Sequence, residues 1–102
     1  MKLKPGVRIQ GVSTEVAFIM PAIAAAFEKC GCELTITSVI DGKHSRGSLH
    51  YSGNAIDLRT RHMHAESISR VVVLLKDALG DDFDVVKESN HLHLEYDPKE
   101  PF

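Results

Sequence analysis

Large aromatic side chains and cysteines are scarce in this chain of 102 residues. It contains no tryptophan and two cysteines, and aromatic residues make up 6% of it. The apolar fraction of 43% and the charged fraction of 25% are nevertheless those of an ordinary globular protein. The length therefore predicts one domain, residues 1–102, with a core of modest size.

The two cysteines, Cys30 and Cys32, are separated by a single glycine. A disulfide across one residue would be strained. No second pair of cysteines or histidines stands at zinc-finger spacing. The cysteines therefore favour neither a disulfide-rich secreted domain nor a zinc finger, and we expect them to be small, partly buried residues near a helix end.

Strong charge of one sign and long apolar runs are also lacking. A net charge of −2 gives no electrostatic attraction to nucleic acid or to anionic membranes. No apolar run is long enough to span a bilayer, and the basic N-terminus is not followed by the apolar stretch of a signal peptide. We expect a monomer that is cytoplasmic as synthesised, with no nucleic-acid partner and no membrane insertion.

Apolar periodicity predicts two helices. Ser13 or Thr14 can cap the first, which runs to about Lys29 with a kink or a later start at Pro21. The second covers residues 66–79, and Gly80 ends it. Strands are predicted at residues 33–38, 55–59, 83–88 and 91–96. This order predicts an α+β fold, a small antiparallel sheet with the helices packed on one face, preceded by an extended lead-in.

The last two predicted strands are joined at Ser89 and Asn90. A two-residue loop would place Glu88 opposite His91, and Val86 opposite His93. A three-residue loop would destroy this register, and the sequence leaves both open. In the tight hairpin, both histidines share a face with Glu88, and so does Glu95.

The residues that carry chemistry are concentrated in Ser48–Asp57 and in His91–His93. His50 and Asp57 converge if the chain turns at Gly53 before entering the strand. Asp57 lies between two apolar residues, where a carboxylate calls for a cation or several hydrogen-bond donors. Catalytic zinc sites use about three imidazole or carboxylate ligands and keep one position open, and at least one histidine of the last strand can complete the set.

The pattern Ser48-x-His50-x-x-Gly53-x-Ala55-x-Asp57, followed by a terminal His-x-His strand, resembles the zinc D-Ala-D-Ala carboxypeptidase family. This family includes D-alanyl-D-alanine dipeptidases and phage L-alanyl-D-glutamate endolysins, and the hedgehog signalling domain shares its fold. The resemblance covers about residues 33–96. The sequences of residues 41–50 and 91–98 look like those of the compact phage and prophage members. It implies one zinc ion bound by His50, Asp57 and His93, in a hedgehog-like fold.

The resemblance also implies catalytic roles. Several family members carry an acidic residue three positions before the last zinc ligand, to take a proton from water. Here that position is Asn90, an amide, so Glu88 becomes the candidate base. His91 matches a second active-site histidine of some members. Glu95 is either a partner that orients a ligand histidine or an ordinary salt-bridge residue.

A long loop is predicted from about Val39 to Tyr51, between the first two predicted strands, and the resemblance implies substrate binding for three of its residues. The family uses an arginine near the end of the strand before the motif, and residues 37–42 contain none. Lys43 or Arg46 could replace it, although loop cations are usually only solvated. Ser48 would hydrogen-bond near the metal or to the substrate.

We therefore expect a zinc metallopeptidase that hydrolyses a short peptide of bacterial peptidoglycan, as a D-Ala-D-Ala carboxypeptidase or an endolysin does. It would reach the wall after lysis or inside a virion. One alternative is a non-catalytic, zinc-binding structural or binding module of phage origin. Another is a metal-dependent phosphoesterase, which the lack of a second carboxylate cluster disfavours.

Overall fold

The structure, a computed structural model, describes residues 1–7, 12–40 and 54–98. These residues form one five-stranded sheet, in the strand order β1-β2-β3-β5-β4, and two helices. The prediction of an α+β fold is thereby confirmed. The elements are β1 (Lys2–Leu3), α1 (Thr14–Lys29), β2 (Thr35–Ile40), β3 (Ala55–Arg59), α2 (Ala65–Leu79), β4 (Phe83–Lys87) and β5 (His91–Tyr96).

The sheet is mixed, so the prediction of a wholly antiparallel sheet is wrong. The short strand β1 pairs in parallel with β2, with Lys2 opposite Thr35. The N–H of Lys2 donates to the carbonyl of Leu34 at 2.7 Å, and the N–H of Lys4 donates to that of Ile36 at 2.9 Å. A strand of two exposed residues has no alternation to read, which is why the sequence predicted only an extended lead-in here.

The other strands are antiparallel to their neighbours and lie close to their predicted positions. β3 and β5 begin and end where predicted, while β2 covers Thr35–Ile40 rather than residues 33–38. Val39 and Ile40 therefore belong to a strand and not to the predicted loop of residues 39–51. Residues 41–51 of that loop lie outside the described residues.

Local signals fix the helix ends. The Ser13 hydroxyl accepts a hydrogen bond from the N–H of Val16 at 3.2 Å, which caps α1 as predicted. The helix continues through Pro21, so the alternative of a later start is wrong. At the end of α2, Gly80 has φ of 76°, a conformation that glycine adopts without strain. Neither helix in the described part of the chain has the length and apolar character needed to cross a membrane.

One face of the sheet packs with both helices to form the core. Alternate residues of the central strands are fully buried, among them Ile56, Leu58, Leu92 and Leu94. They share one cluster with α1 and α2 side chains such as Val16, Ile23, Phe27, Val71 and Leu75. Because side chains of a strand alternate between faces, the residues between them point to the opposite side, here called the polar face.

The core predicts a sharp difference between two apolar substitutions. Leu58→Ala removes a side chain that is fully buried and should lower the free energy of unfolding by about 2–5 kcal/mol. Val73→Ala removes one that is 65% exposed and should change it by about 0.5 kcal/mol or less. Urea denaturation followed by circular dichroism measures both, and equal effects would contradict this arrangement of the core.

Candidate functional site

His93 lies between two carboxylates on the polar face. Its Nδ1 is 2.9 Å from Oδ1 of Asp57, and its Nε2 is 2.9 Å from Oε1 of Glu95. The sheet itself brings the three together. Asp57 on β3 is paired directly with His93 on β5, and Glu95 follows two residues later on the same face. We call these three residues the His93 cluster.

A β-bulge in β2 adds a second contact to Asp57. Ile36 is opposite Leu58 whereas Ser38 is opposite Asp57, so β2 has one extra residue, Thr37, at this point. In a strand without a bulge, Ser38 would share the core face of Ile36, because residues two apart lie on the same face. The bulge moves Ser38 to the polar face, where its hydroxyl donates to Oδ2 of Asp57 at 2.8 Å. Both carboxylate oxygens of Asp57 therefore have a hydrogen-bond partner.

Sequence analysis missed Ser38, because the bulge has no signature in residues 33–38. A strand read with a strict period of two places this serine on the core side. Thr37 contributes as well, since its hydroxyl donates to the backbone carbonyl of Asp57 at 3.3 Å. The expectation that the Asp57 carboxylate needs several donors or a cation is met in part by the hydroxyl of Ser38.

The cluster is mostly shielded from water. The side chains of His93, Asp57 and Glu95 are 14%, 18% and 10% exposed. Burial lowers the pKa of His93, but the hydrogen bonds to Glu95 and Asp57 and the charges of these two carboxylates raise it by more, so the pKa lies above its ordinary value. Taken by themselves, these three side chains comprise two carboxylates and one imidazole, so a proton on His93 matches the charge of only one of the two carboxylates.

The tight hairpin between β4 and β5 is confirmed. Val86 is opposite His93, and the N–H of Glu88 donates to the carbonyl of His91 at 2.9 Å. Glu88 and His91 consequently lie on the polar face with the His93 cluster. They line a cavity of about 420 Å³, here called the acidic cavity, whose lining residues are Asp57, Asp84, Val86, Glu88, His91, His93 and Glu95.

His91 is oriented by its neighbour in the hairpin. Its Nδ1 is 2.7 Å from Oδ1 of Asn90. An amide oxygen only accepts, so Nδ1 carries a proton and, in the neutral ring, Nε2 is the acceptor. That Nε2 is 3.8 Å from Oδ1 of Asp57, too far for a hydrogen bond. The acceptor nitrogen of His91 thus faces the cluster without being bound to it.

The donor types of the cluster suit zinc, which takes imidazole nitrogen and carboxylate oxygen. Glu95 fits the role of an orienting partner: a proton on Nε2 directed at Glu95 leaves the Nδ1 lone pair of neutral His93 facing Asp57. Residues 1–7, 12–40 and 54–98 alone contain no group of three His, Cys, Asp or Glu side chains that could hold a metal ion. His50, the third ligand predicted from the sequence, lies outside these residues.

Four predicted site residues lie outside the described residues. They are Lys43, Arg46, Ser48 and His50, within the segment 41–53 that links β2 to β3. The roles predicted for them stay predictions. Of the histidines without an assigned role, His62 contacts the backbone carbonyl of Glu33 at 3.0 Å, and His64 stands at the N-terminus of α2.

Comparison of the chain with protein-family models, with curated proteins and with solved structures finds no match. The resemblance to the zinc D-Ala-D-Ala carboxypeptidase family therefore depends on the two sequence motifs, and the hedgehog-like fold stays a prediction. The arrangement of Asp57, His93 and Glu95 is a property of this chain that stands without the resemblance.

The raised pKa of His93 predicts a pH dependence for the metal-free protein. When the pKa of a group is higher in the folded chain than in the unfolded chain, its protonation stabilises the folded state. This contribution is complete at pH values below the pKa of the unfolded chain, here 6.5, and is lost as the pH rises through the pKa of the folded chain. Relative to His93→Gln, the wild type should therefore lose stability as pH rises above about 6.5.

Urea denaturation in the presence of a chelator, repeated across this pH range, measures the effect. His62→Gln is the matched control, since it removes an exposed histidine and should keep the wild-type dependence. Parallel pH profiles for the wild type and His93→Gln would show that the two carboxylates do not hold a proton on this ring.

Proposed function

We propose that this chain is a zinc-dependent metallopeptidase that hydrolyses a short peptide bond of bacterial peptidoglycan, of the D-Ala-D-Ala carboxypeptidase or endolysin type. The observation that carries the proposal is the His93 cluster. Two shielded carboxylates held on one imidazole bring together the oxygen and nitrogen donors that bind a divalent cation such as zinc. The cluster also lies beside a cavity large enough for a short peptide.

His50, Asp57 and His93 would hold the zinc ion, and Glu95 would orient the His93 ring. When bound, zinc supplies a Lewis acid that activates water at neutral pH and polarises the carbonyl of the peptide bond. A zinc ligand must be a neutral imidazole, and the two carboxylates raise the pKa of His93, so protons and zinc would compete for this ring.

The proton transfers fall to two residues of the hairpin. Glu88 or His91 would accept the proton of the attacking water and deliver it to the leaving nitrogen. Both line the acidic cavity. His91 has its Nε2 directed towards the cluster and its Nδ1 fixed by Asn90. Asn90, which cannot act as a base, would thus serve as a positioning residue for His91.

A second candidate function is a zinc-binding module without catalysis. It is favoured by Asn90, which occupies the position where several members of the resembling family carry their acidic base. In that case the cluster would stabilise the fold through the metal and Glu88 would have no catalytic role. Both functions require zinc binding, and only the metallopeptidase would hydrolyse a peptide.

We expect the full-length protein to bind one zinc ion and, with zinc, to release peptides from purified muropeptides. Asp57→Asn and His50→Ala should abolish both properties because each removes a ligand. Glu95→Gln should weaken zinc binding by about 10- to 100-fold, as loss of an orienting partner does. Elemental analysis and mass spectrometry of the digests measure the two properties.

His44→Ala is the matched control, since it removes a histidine from the same loop that has no assigned role. Loss of turnover in Glu88→Gln or in His91→Gln, with zinc still bound, would identify the base, with an expected factor of about 10²–10⁴. Stoichiometric zinc without hydrolysis of any muropeptide would favour the module. A wild-type protein that binds no zinc would exclude both functions.

A further inference from the structure

We propose that Lys4, Arg59 and Arg61 form an anion-binding pocket next to the His93 cluster, and that it takes the carboxylate carried by the leaving residue of the substrate. That the pocket binds an anion is inferred from the charges and contacts of the residues that line it. The identity of its ligand as a substrate carboxylate rests on the proposed function.

The pocket lies on the polar face, where the ends of several elements meet. Its volume is about 190 Å³, the size for one small anionic group rather than a polymer. Among the described residues that line it, three are permanent or near-permanent cations and none is a carboxylate. The lining residues are Lys4, Thr37, Arg59, Arg61, Asn90 and His91.

The three cations are not neutralised within the described part of the chain. None of the salt bridges found there involves Lys4, Arg59 or Arg61. Arginine stays charged at every physiological pH, and its planar guanidinium matches a carboxylate with two parallel hydrogen bonds. Arg59 is partly buried, so its charge is less screened by solvent than that of an exposed side chain.

The pocket and the acidic cavity are adjacent. Arg59 is paired with His91, which lines both, and it shares a strand face with Asp57 two residues earlier. Neighbours on one strand face are about 7 Å apart. A carboxylate one residue beyond a carbonyl is about 4 Å from it, and a salt bridge adds about 3 Å. An anion held by Arg59 would therefore leave the preceding carbonyl near the cluster.

This geometry favours one kind of substrate. The residue that hydrolysis releases carries the leaving nitrogen on its α-carbon, and the same carbon carries a free carboxylate. A C-terminal residue has this chemistry, whereas its amide does not. Arg59 is then a specificity-determining residue, and its effect should appear in substrate binding.

The first experiment tests the anion site alone. The full-length protein is titrated with inorganic phosphate and with acetate while backbone amide shifts are followed by NMR. Saturable shifts are expected at Thr37, Arg59 and Arg61, and their loss is expected in Arg59→Gln. Arg70→Gln on α2 is the matched control with the same change of charge and should behave as the wild type. Linear shifts in the wild type, or saturation that survives Arg59→Gln, would overturn the site.

The second experiment tests the substrate assignment through binding, so it is informative even for an inactive protein. N-acetyl-D-alanyl-D-alanine should bind about 10- to 100-fold more tightly than its C-terminal amide, the factor expected for charge-assisted hydrogen bonds. Arg59→Gln should remove this preference. If Arg59→Gln does not fold, Arg61→Gln, which alters an exposed side chain, takes its place. Equal binding of acid and amide, with phosphate still saturating the pocket, would overturn the assignment and leave the anion site.

Discussion

The pairing of Asp57 with His93 across two central strands is the interaction on which the rest of the site depends. It exists because Ile56 and Leu58 must be buried with Leu92 and Leu94. Side chains alternate, so a shift of the register by one residue would bury the carboxylate and the imidazole and expose the apolar set. The hydrophobic core therefore fixes which polar side chains meet on the other face.

The His93 cluster carries a cost that a bound cation would remove. Two shielded carboxylates repel each other and lose solvation, and a shared imidazolium offsets this only in part. Ser38 spreads the charge of Asp57 further through its hydrogen bond. If the proposed metal binds, a proton on His93 and the divalent cation would be alternative ways to balance the charges of these carboxylates, and the pH response of the metal-free protein would then be linked to metal binding.

The sequence predicted strands in which apolar and polar residues alternate regularly. It did not predict the places where a strand departs from this alternation. The bounds of β3 and β5 followed from period-two patterns. For the hairpin, the sequence left a two-residue and a three-residue loop open, and the structure has the two-residue loop, which places Glu88 and His91 beside His93. The parallel pairing of β1 is too short to leave a pattern. The bulge at Thr37 moves Ser38 to the polar face. It is a feature of the backbone, and the residue types of β2 do not predict it. The contact of Ser38 with Asp57 was missed for that reason.

The resemblance predicts a substrate-binding cation, Lys43 or Arg46, in the loop between β2 and β3, and this prediction stays untested. The structure groups three other cations, Lys4, Arg59 and Arg61, which come from different elements and meet because β1 lies beside β2 and the hairpin reaches the end of β3. His91 stands between this basic group and the acidic cavity, with Asn90 fixing its ring. A ligand with an anionic group in the anion-binding pocket and a cationic group in the acidic cavity would span both sites. The bond between these two groups would then lie at His91. The turn of two residues is what holds His91 at this boundary, because a longer turn would carry it off the polar face.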